Sequence, residues 1–179
     1  MANIYEPSDD SFFFSEFLEK YLKELEGEIE YLDLGTGSGI LAKTASKILE
    51  KSEIIVTDIN LKAVELLRKK GFNSIQSNLF SNINSKFDLI TFNAPYLPRD
   101  DREPKNSRIA TTGGERGDEI SIEFLEQARK HLNPEGKILL LISSLTPQDR
   151  IAKFGPQEVA RKKIFMEDLI ILEFSNSQS

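Results

Sequence analysis

The chain has no cysteine, a single histidine, no long apolar run and no excess of positive charge. Without cysteine, neither a disulfide nor a thiolate-bound zinc can form within it. No other metal-ligating set is read from the sequence. No apolar run approaches the roughly 18–20 residues that span a bilayer, and Met1 opens onto polar sequence rather than a signal peptide. No membrane association and a cytoplasmic location are therefore expected. Lys and Arg number 23 against 29 Asp and Glu, a net charge of -6. That balance argues against binding driven by nucleic-acid phosphates, which basic side chains must neutralise. The lone histidine, His131, falls near the end of a predicted helix, where a polar cap is ordinary, and is given no catalytic role.

What is present suits one domain over residues 1–179, with 39% hydrophobic and 29% charged residues. Helices are predicted over 8–25, 40–49, 61–70 and 118–132, with a short one over 146–153. The first has Pro7 before it, Ser8 or Asp9 as cap, and Phe13, Phe17, Tyr21 and Leu25 at helical spacing. The fourth is expected to stop at Asn133-Pro134-Glu135-Gly136. Strands are predicted over 28–34, 53–58, 73–77, 86–92 and 137–143, with a closing pair over 159–165 and 169–174. Phe12, Phe13 and Phe14 are expected in the core, and 175–179 as a frayed tail. This alternation of strand and helix implies right-handed crossovers and an open sheet covered on both faces. One long irregular stretch, 97–117, is of a length that is usually functional or mobile.

Ligands of open parallel sheets sit beyond the carboxyl ends of the strands. Leu32-Asp33-Leu34-Gly35-Thr36-Gly37-Ser38-Gly39 falls at such an end. Its glycines allow positive φ and close backbone approach. The spacing is G-x-G-x-G, one residue away from the dinucleotide fingerprint G-x-G-x-x-G, which disfavours a dinucleotide. Asp58 ends the second predicted strand, where a carboxylate accepts both hydroxyls of a ribose. Asp33 suits a cationic group such as an amino-acid ammonium. The plainer alternative is a tight turn with helix-capping acids; the combination favours a nucleoside-containing ligand.

Residues 93–98 read Asn-Ala-Pro-Tyr-Leu-Pro, directly after the apolar run Phe87-Asp88-Leu89-Ile90-Thr91-Phe92. Asn93 offers a side-chain carbonyl. Ala94, preceding a proline, is pushed to extended geometry with its own carbonyl exposed. Pro95 stiffens the turn and Tyr96 supplies a flat face. Two acceptors and a plate match a planar –NH2 group. Such a nitrogen is a poor nucleophile, so holding it in place and countering its growing charge is the catalytic task. The plain reading is a strand end followed by a proline turn.

On these residues the chain resembles the class I S-adenosylmethionine-dependent methyltransferases, specifically the HemK-related protein glutamine methyltransferases. Tyr5-Glu6-Pro7-Ser8-Asp9-Asp10-Ser11-Phe12 and Gly113-Gly114-Glu115-Arg116-Gly117 add to the likeness, the former pointing to the archaeal and eukaryotic branch. The resemblance implies a Rossmann-like fold, with a mostly parallel seven-stranded sheet and an antiparallel strand near the C-terminus. It implies S-adenosyl-L-methionine as cofactor and the glutamine of a Gly-Gly-Gln motif in a class 1 translation release factor as substrate. Ser11 and the first helix would close over the cofactor, Asp33 and the Gly35, Thr36, Gly37 and Gly39 turn would hold its methionine part, and Asp58 its ribose. Ile59, Asn78 and Leu79 would complete that site. Asn93, Ala94, Pro95 and Tyr96 would handle the substrate amide, Asn93 also bordering the cofactor. Two departures stand out: Ala94 replaces the first proline of Asn-Pro-Pro-Tyr, and Asn78 replaces an aspartate. The resemblance also implies a small zinc-binding activator protein on the exposed edge strand 73–77.

Other functions remain open at this point. The same turn serves methyl transfer to an exocyclic adenine or guanine amine in nucleic acid, which requires a flipped base. The fold also serves as a non-catalytic nucleoside-binding module or as a dinucleotide-dependent enzyme. The charge run Arg99-Asp100-Asp101-Arg102-Glu103 is either a solvated loop or a lid beside the site.

Overall fold

Seven strands form one sheet: β1 Tyr31–Leu34, β2 Ile54–Asp58, β3 Asn73–Gln76, β4 Phe87–Asn93, β5 Leu132–Ser143, β6 Gln157–Lys163 and β7 Asp168–Ser175. Their order is β3-β2-β1-β4-β5-β7-β6. The pairs among β1 to β5 are parallel, and β7 runs antiparallel to both β5 and β6. The helices are α1 Asp9–Glu24, α2 Ile40–Ala45, α3 Leu61–Lys69 and α4 Glu119–Ala128. This computed structural model describes residues 4, 6–98 and 112–176. Tyr5, the 99–103 charge run and the last three residues of the expected tail lie outside the described residues. Among the described residues no helix is long and apolar enough to cross a membrane.

Strand side chains alternate between two cores, as a period of two requires. Leu32, Leu34, Ile90, Phe92, Ile138, Leu140, Ile170 and Leu172 meet Phe124, Leu125 and Ala128 of α4 on one face. Tyr31, Leu89, Leu139, Leu141, Leu169 and Ile171 meet α1, α2 and α3 on the other. The strand order turns around between β1 and β4. The carboxyl ends of β1, β2, β3 and β4 therefore open on one side, with a crevice at the reversal.

Several boundaries differ from expectation. The fourth helix stops at Ala128 and passes through a short 3-10 turn, Arg129–His131. Asn133-Pro134-Glu135-Gly136 does not separate helix from strand; it lies inside β5, which starts at Leu132. A register shift between Phe87 and Leu89 absorbs it, and Asn133 Nδ2 donates to Asp88 Oδ1 at 2.7 Å. The expected helix over 146–153 is only a 3-10 turn, Ile151–Phe154. The first strand begins three residues late, and α2 ends at Ala45. On α1 the deepest residues are Phe14, Leu18 and Leu22; Phe13, Phe17, Tyr21 and Leu25 pack beside them, partly buried. Phe12 is half exposed rather than in the core. His131 stacks on Phe80 at the start of β5, at the opposite end of the sheet from Asn93.

Gly39 joins three elements. It caps α2 at φ 79°, and a methyl there would sit 2.5 Å from Leu67 Cδ1 of α3. Gly39→Ala should cost about 1–3 kcal/mol in urea denaturation, from left-handed backbone strain plus the clash. An unchanged midpoint would show that the turn relaxes freely.

Candidate active site

A cavity of about 440 Å³ opens where β1, β2 and β4 end. Ser11, Asp33, Gly35, Thr36, Gly37, Asp58, Ile59, Asn78, Leu79, Asn93, Ala94, Pro95 and Tyr96 all line it. Of the residues expected at a site, Gly39 alone is not on this wall: it faces Leu67. Spacing does not distinguish a glycine needed for helix packing from one needed by a ligand.

The glycine turn is fastened by the two acids. Thr36 Oγ1 donates to Asp33 Oδ2 at 2.6 Å, and the Ala42 amide donates to the same oxygen at 3.2 Å. Gly37 N donates to Asp58 Oδ2 at 2.8 Å, and Asn60 N to Asp58 Oδ1 at 2.8 Å. Thr36 N reaches the Thr57 carbonyl at 2.9 Å, tying the turn to β2. Below it, Tyr31 and Thr91 hydroxyls are 2.6 Å apart, and Thr91 Oγ1 donates to Asp33 Oδ1 at 3.5 Å. Asp33 is buried at 1% exposure. Burial pushes its carboxyl up to about 7, against the lowering effect of the Thr36 and Ala42 hydrogen bonds. Burial also raises Asp58, opposed by the backbone amides of Asn60, Gly37 and Ile59. The cavity floor thus holds two costly carboxylates, each with lone pairs to spare. Such a donor set suits a cation and hydroxyl groups. Ile59, 53% exposed at the rim, and Leu79, held at φ 47°, offer apolar surface for a flat ring. Asn78 is exposed on the same wall, its backbone N–H donating to Ser81 Oγ at 3.2 Å.

Asn93 ends β4 in the reversal crevice. Its Nδ2 donates to Asp10 Oδ2 at 3.2 Å and reaches Ser11 Oγ at 3.5 Å. Asp10 is itself fixed: its Oδ1 accepts from Ser8 Oγ and from Ser11 N, each at 2.6 Å. The Asn93 amide is therefore turned with nitrogen on Asp10. Its Oδ1 is buried and has no hydrogen-bond partner among the described residues. A buried acceptor left so costs about 1–3 kcal/mol, which a ligand N–H recovers. Asp10 is the residue bonded to Asn93 that sequence reasoning passed over. It sat within the Tyr5 to Phe12 motif, but its contact lies 83 residues away in the chain.

The turn after Asn93 is braced from behind. Gly113 N donates to the Leu97 carbonyl at 2.9 Å. A methyl at Gly113 would lie 2.5 Å from the Pro95 carbonyl, and one at Gly117 (φ 95°) would lie 2.7 Å from that of Tyr96. Thr146 Oγ1 donates to the same Tyr96 carbonyl at 3.4 Å. The Tyr96 ring packs partly buried against the α1 side of the core. Glu119 accepts from the amides of Arg116 and Gly117, and fully buried Asp118 takes a two-point bond from Arg150, Nε to Oδ2 at 2.8 Å. The Arg150 bond holds the Asp118 carboxyl below the usual range. The Gly113 to Gly117 motif thus has a mechanical role at the site, through an ion pair that no linear pattern announced.

Comparisons with known proteins agree on this architecture. The methyltransferase small domain family model matches residues 13–165. A Methanocaldococcus jannaschii protein named, provisionally, as a protein N5-glutamine methyltransferase is 33% identical over 183 residues, 94% of this chain and 90% of that one. A release factor glutamine methyltransferase of Streptococcus pneumoniae is 31% identical over 141 residues, 71% of this chain and 50% of that protein. Among solved structures, a ribosomal protein L11 methylase from Lactobacillus delbrueckii subsp. bulgaricus shares the fold at a TM-score of 0.67 and 19% identity, over 94% of this chain and 80% of that one. The family match runs from inside α1 to the loop between β6 and β7 and so takes in nearly the whole cavity wall; this chain belongs to the methyltransferase small domain family.

Proposed function

We propose that this chain transfers a methyl group from S-adenosyl-L-methionine to the side-chain amide nitrogen of a protein glutamine, in the Gly-Gly-Gln motif of a class 1 translation release factor. The observation that carries this reading is Asn93 Oδ1: a buried, unpartnered acceptor on the cavity wall, its orientation set by Asp10. The two closely related names above, each a glutamine methyltransferase, support the same substrate class. A translation factor as substrate also puts the reaction in the cytoplasm.

The cavity fits the donor. Asp33 would take its ammonium, the backbone of Gly35, Thr36 and Gly37 its methionine part, and Asp58 its ribose hydroxyls. Ile59 and Leu79 would flank the adenine, Asn78 would meet its edge, and Ser11 would close the opposite side. When bound, the donor supplies an electrophilic methyl carbon. Asn93 Oδ1 and the Ala94 carbonyl accept the two N–H groups of the substrate amide and hold its nitrogen in line. As the nitrogen–carbon bond forms and the methyl–sulfur bond breaks, leaving a neutral thioether, positive charge passes to that nitrogen, and these fixed acceptors would counter it without having to reorient. The surplus proton leaves to water afterwards, so no general base is required. Tyr96 packs on the amide plane, and Pro95 keeps the turn rigid. Replacing the family's proline with Ala94 retains the carbonyl.

A second reading shares the acceptors: an exocyclic base amine also presents two N–H groups. The net charge of -6 disfavours it. An activator protein on β3 belongs to the first reading. That strand is outermost, but its Ser74 and Gln76 carbonyls already accept from Arg68 and Asn82, so an added strand must displace both side chains.

Incubation with labelled S-adenosyl-L-methionine and either release factor or RNA tests the assignment: label on a release-factor glutamine supports it, and label in RNA alone overturns it. Asn93→Ala should lower turnover at least about 100-fold, while the affinity for S-adenosyl-L-methionine falls only a few-fold; equal loss of both would make Asn93 chiefly a cofactor residue. Asp33 generates a pH prediction. The unfolded carboxyl, near 3.8, gives up its proton before the folded one, near 7. Its contribution therefore lowers stability progressively between about pH 4 and pH 7 and by a constant amount above. In urea titrations Asp33→Asn should flatten that slope and be more stable than wild type at pH 8. Parallel profiles would show Asp33 ionised throughout.

A further inference from the structure

We propose that the loop between β6 and β7 is a docking point for the protein that carries the methylated glutamine, gripping an apolar part of its surface away from the glutamine itself. This rests on the functional reading above.

Phe165 and Met166 form the tip of the loop and are 95% and 78% exposed. Leu145, just past the end of β5, is 57% exposed. Single exposed apolar residues are ordinary, but an adjacent pair on a fixed tip is not. The tip is fixed. Ile164 N donates to the Glu167 carbonyl at 2.9 Å, closing the turn. Ser143 Oγ donates to Glu167, Asp168 N to Ser144 Oγ at 2.9 Å, and Ser144 N to the Asp168 carbonyl at 2.8 Å. Four hydrogen bonds thus hold two large apolar side chains in water.

The place is as informative as the chemistry. β4, β5, β7 and β6 are successive neighbours, so the two arms stand about 10 and 14 Å from the strand of Asn93. Ile171 is level with Asn93 through Leu141, and Asp168 is three residues farther out, roughly 10 Å along the strand. The tip therefore rises beside the active-site mouth, above the level of the reacting amide. Thr146, next to Leu145, bonds the Tyr96 carbonyl, so the patch and the substrate-gripping turn are mechanically joined.

The size of the patch selects its occupant. Three such side chains expose on the order of a few hundred Å². A stable interface needs roughly 800 Å² on each partner. That is too little to hold a second copy of this chain, but it suits a supplementary contact to a substrate also held at Asn93 and released after each turnover. Lys163, exposed beside the tip, favours a carboxylate at the margin of the partner's apolar surface.

The test compares a Phe165→Ser/Met166→Ser double variant with wild type on two substrates: the release factor of the same organism and a seven-residue peptide centred on the glutamine. Three residues on either side reach only about 10 Å when extended, short of the tip. For the protein, KM should rise at least fivefold with kcat unchanged; for the peptide, kcat/KM should not move. Equal KM for the protein overturns the proposal, as does the same loss on both substrates. A wild-type dimer in sedimentation that the variant dissolves assigns the tip to a second copy and overturns it too. A wild-type enzyme that labels no glutamine-bearing protein removes the functional reading and this surface together, whereas labelling with an unaltered variant KM removes the surface alone.

Discussion

A primary amide fits its own pocket either way round, and at the end of β4 the two orientations are opposites in chemistry. With oxygen toward the cavity, Asn93 accepts a hydrogen bond from a substrate –NH2; with nitrogen there, it repels one. The hydrogen bond from Asn93 Nδ2 to Asp10 decides between them. Asp10 is a carboxylate anchored by Ser8 and Ser11 at the start of α1. Ionised, it can only accept, so it admits only the nitrogen. The placement of α1 on the sheet, through Phe14, Leu18 and Leu22, is thereby coupled to the chemistry: the same helix buries one core and orients the acceptor.

The other half of the cavity works by withheld solvation. Asp33 is buried at the end of β1 and Asp58 partly buried at the end of β2, and backbone amides and hydroxyls replace only part of the water that was lost. Burial raises the pKa of both carboxyls for that reason. A cationic, hydroxyl-bearing ligand offsets that loss, so the acids that clamp the turn are also its reason to bind. The brace behind Asn93 follows a different logic. Gly113 and Gly117 let two backbone segments touch, and buried Asp118, bonded to Arg150, anchors the start of the helix that follows them.

Much of this was legible in the sequence because it is local. The apolar runs of β1, β2 and β4, the glycine turn and the Asn-Ala-Pro-Tyr segment each carry their own geometry, and their order along the chain fits only a few topologies. What was not legible depends on partners distant in sequence. Pro134 and Gly136 read as breakers, yet Asp88 on the neighbouring strand takes up the irregularity. Gly39 reads as a ligand glycine, yet its left-handed backbone and the nearness of Leu67 are what require it. The helical spacing of Phe13, Phe17, Tyr21 and Leu25 is real, but the sheet presses on the neighbouring stripe. Asp10 and Arg150 could be recognised only once Asn93 and Asp118 stood beside them.

The most direct measurement is a crystal structure with S-adenosylhomocysteine and a glutamine-bearing peptide. The account predicts the glutamine Nε2 within about 3.2 Å of Asn93 Oδ1, with Asn93 Nδ2 still on Asp10. An Asn93 amide turned the other way, or a glutamine side chain bound elsewhere, would contradict it.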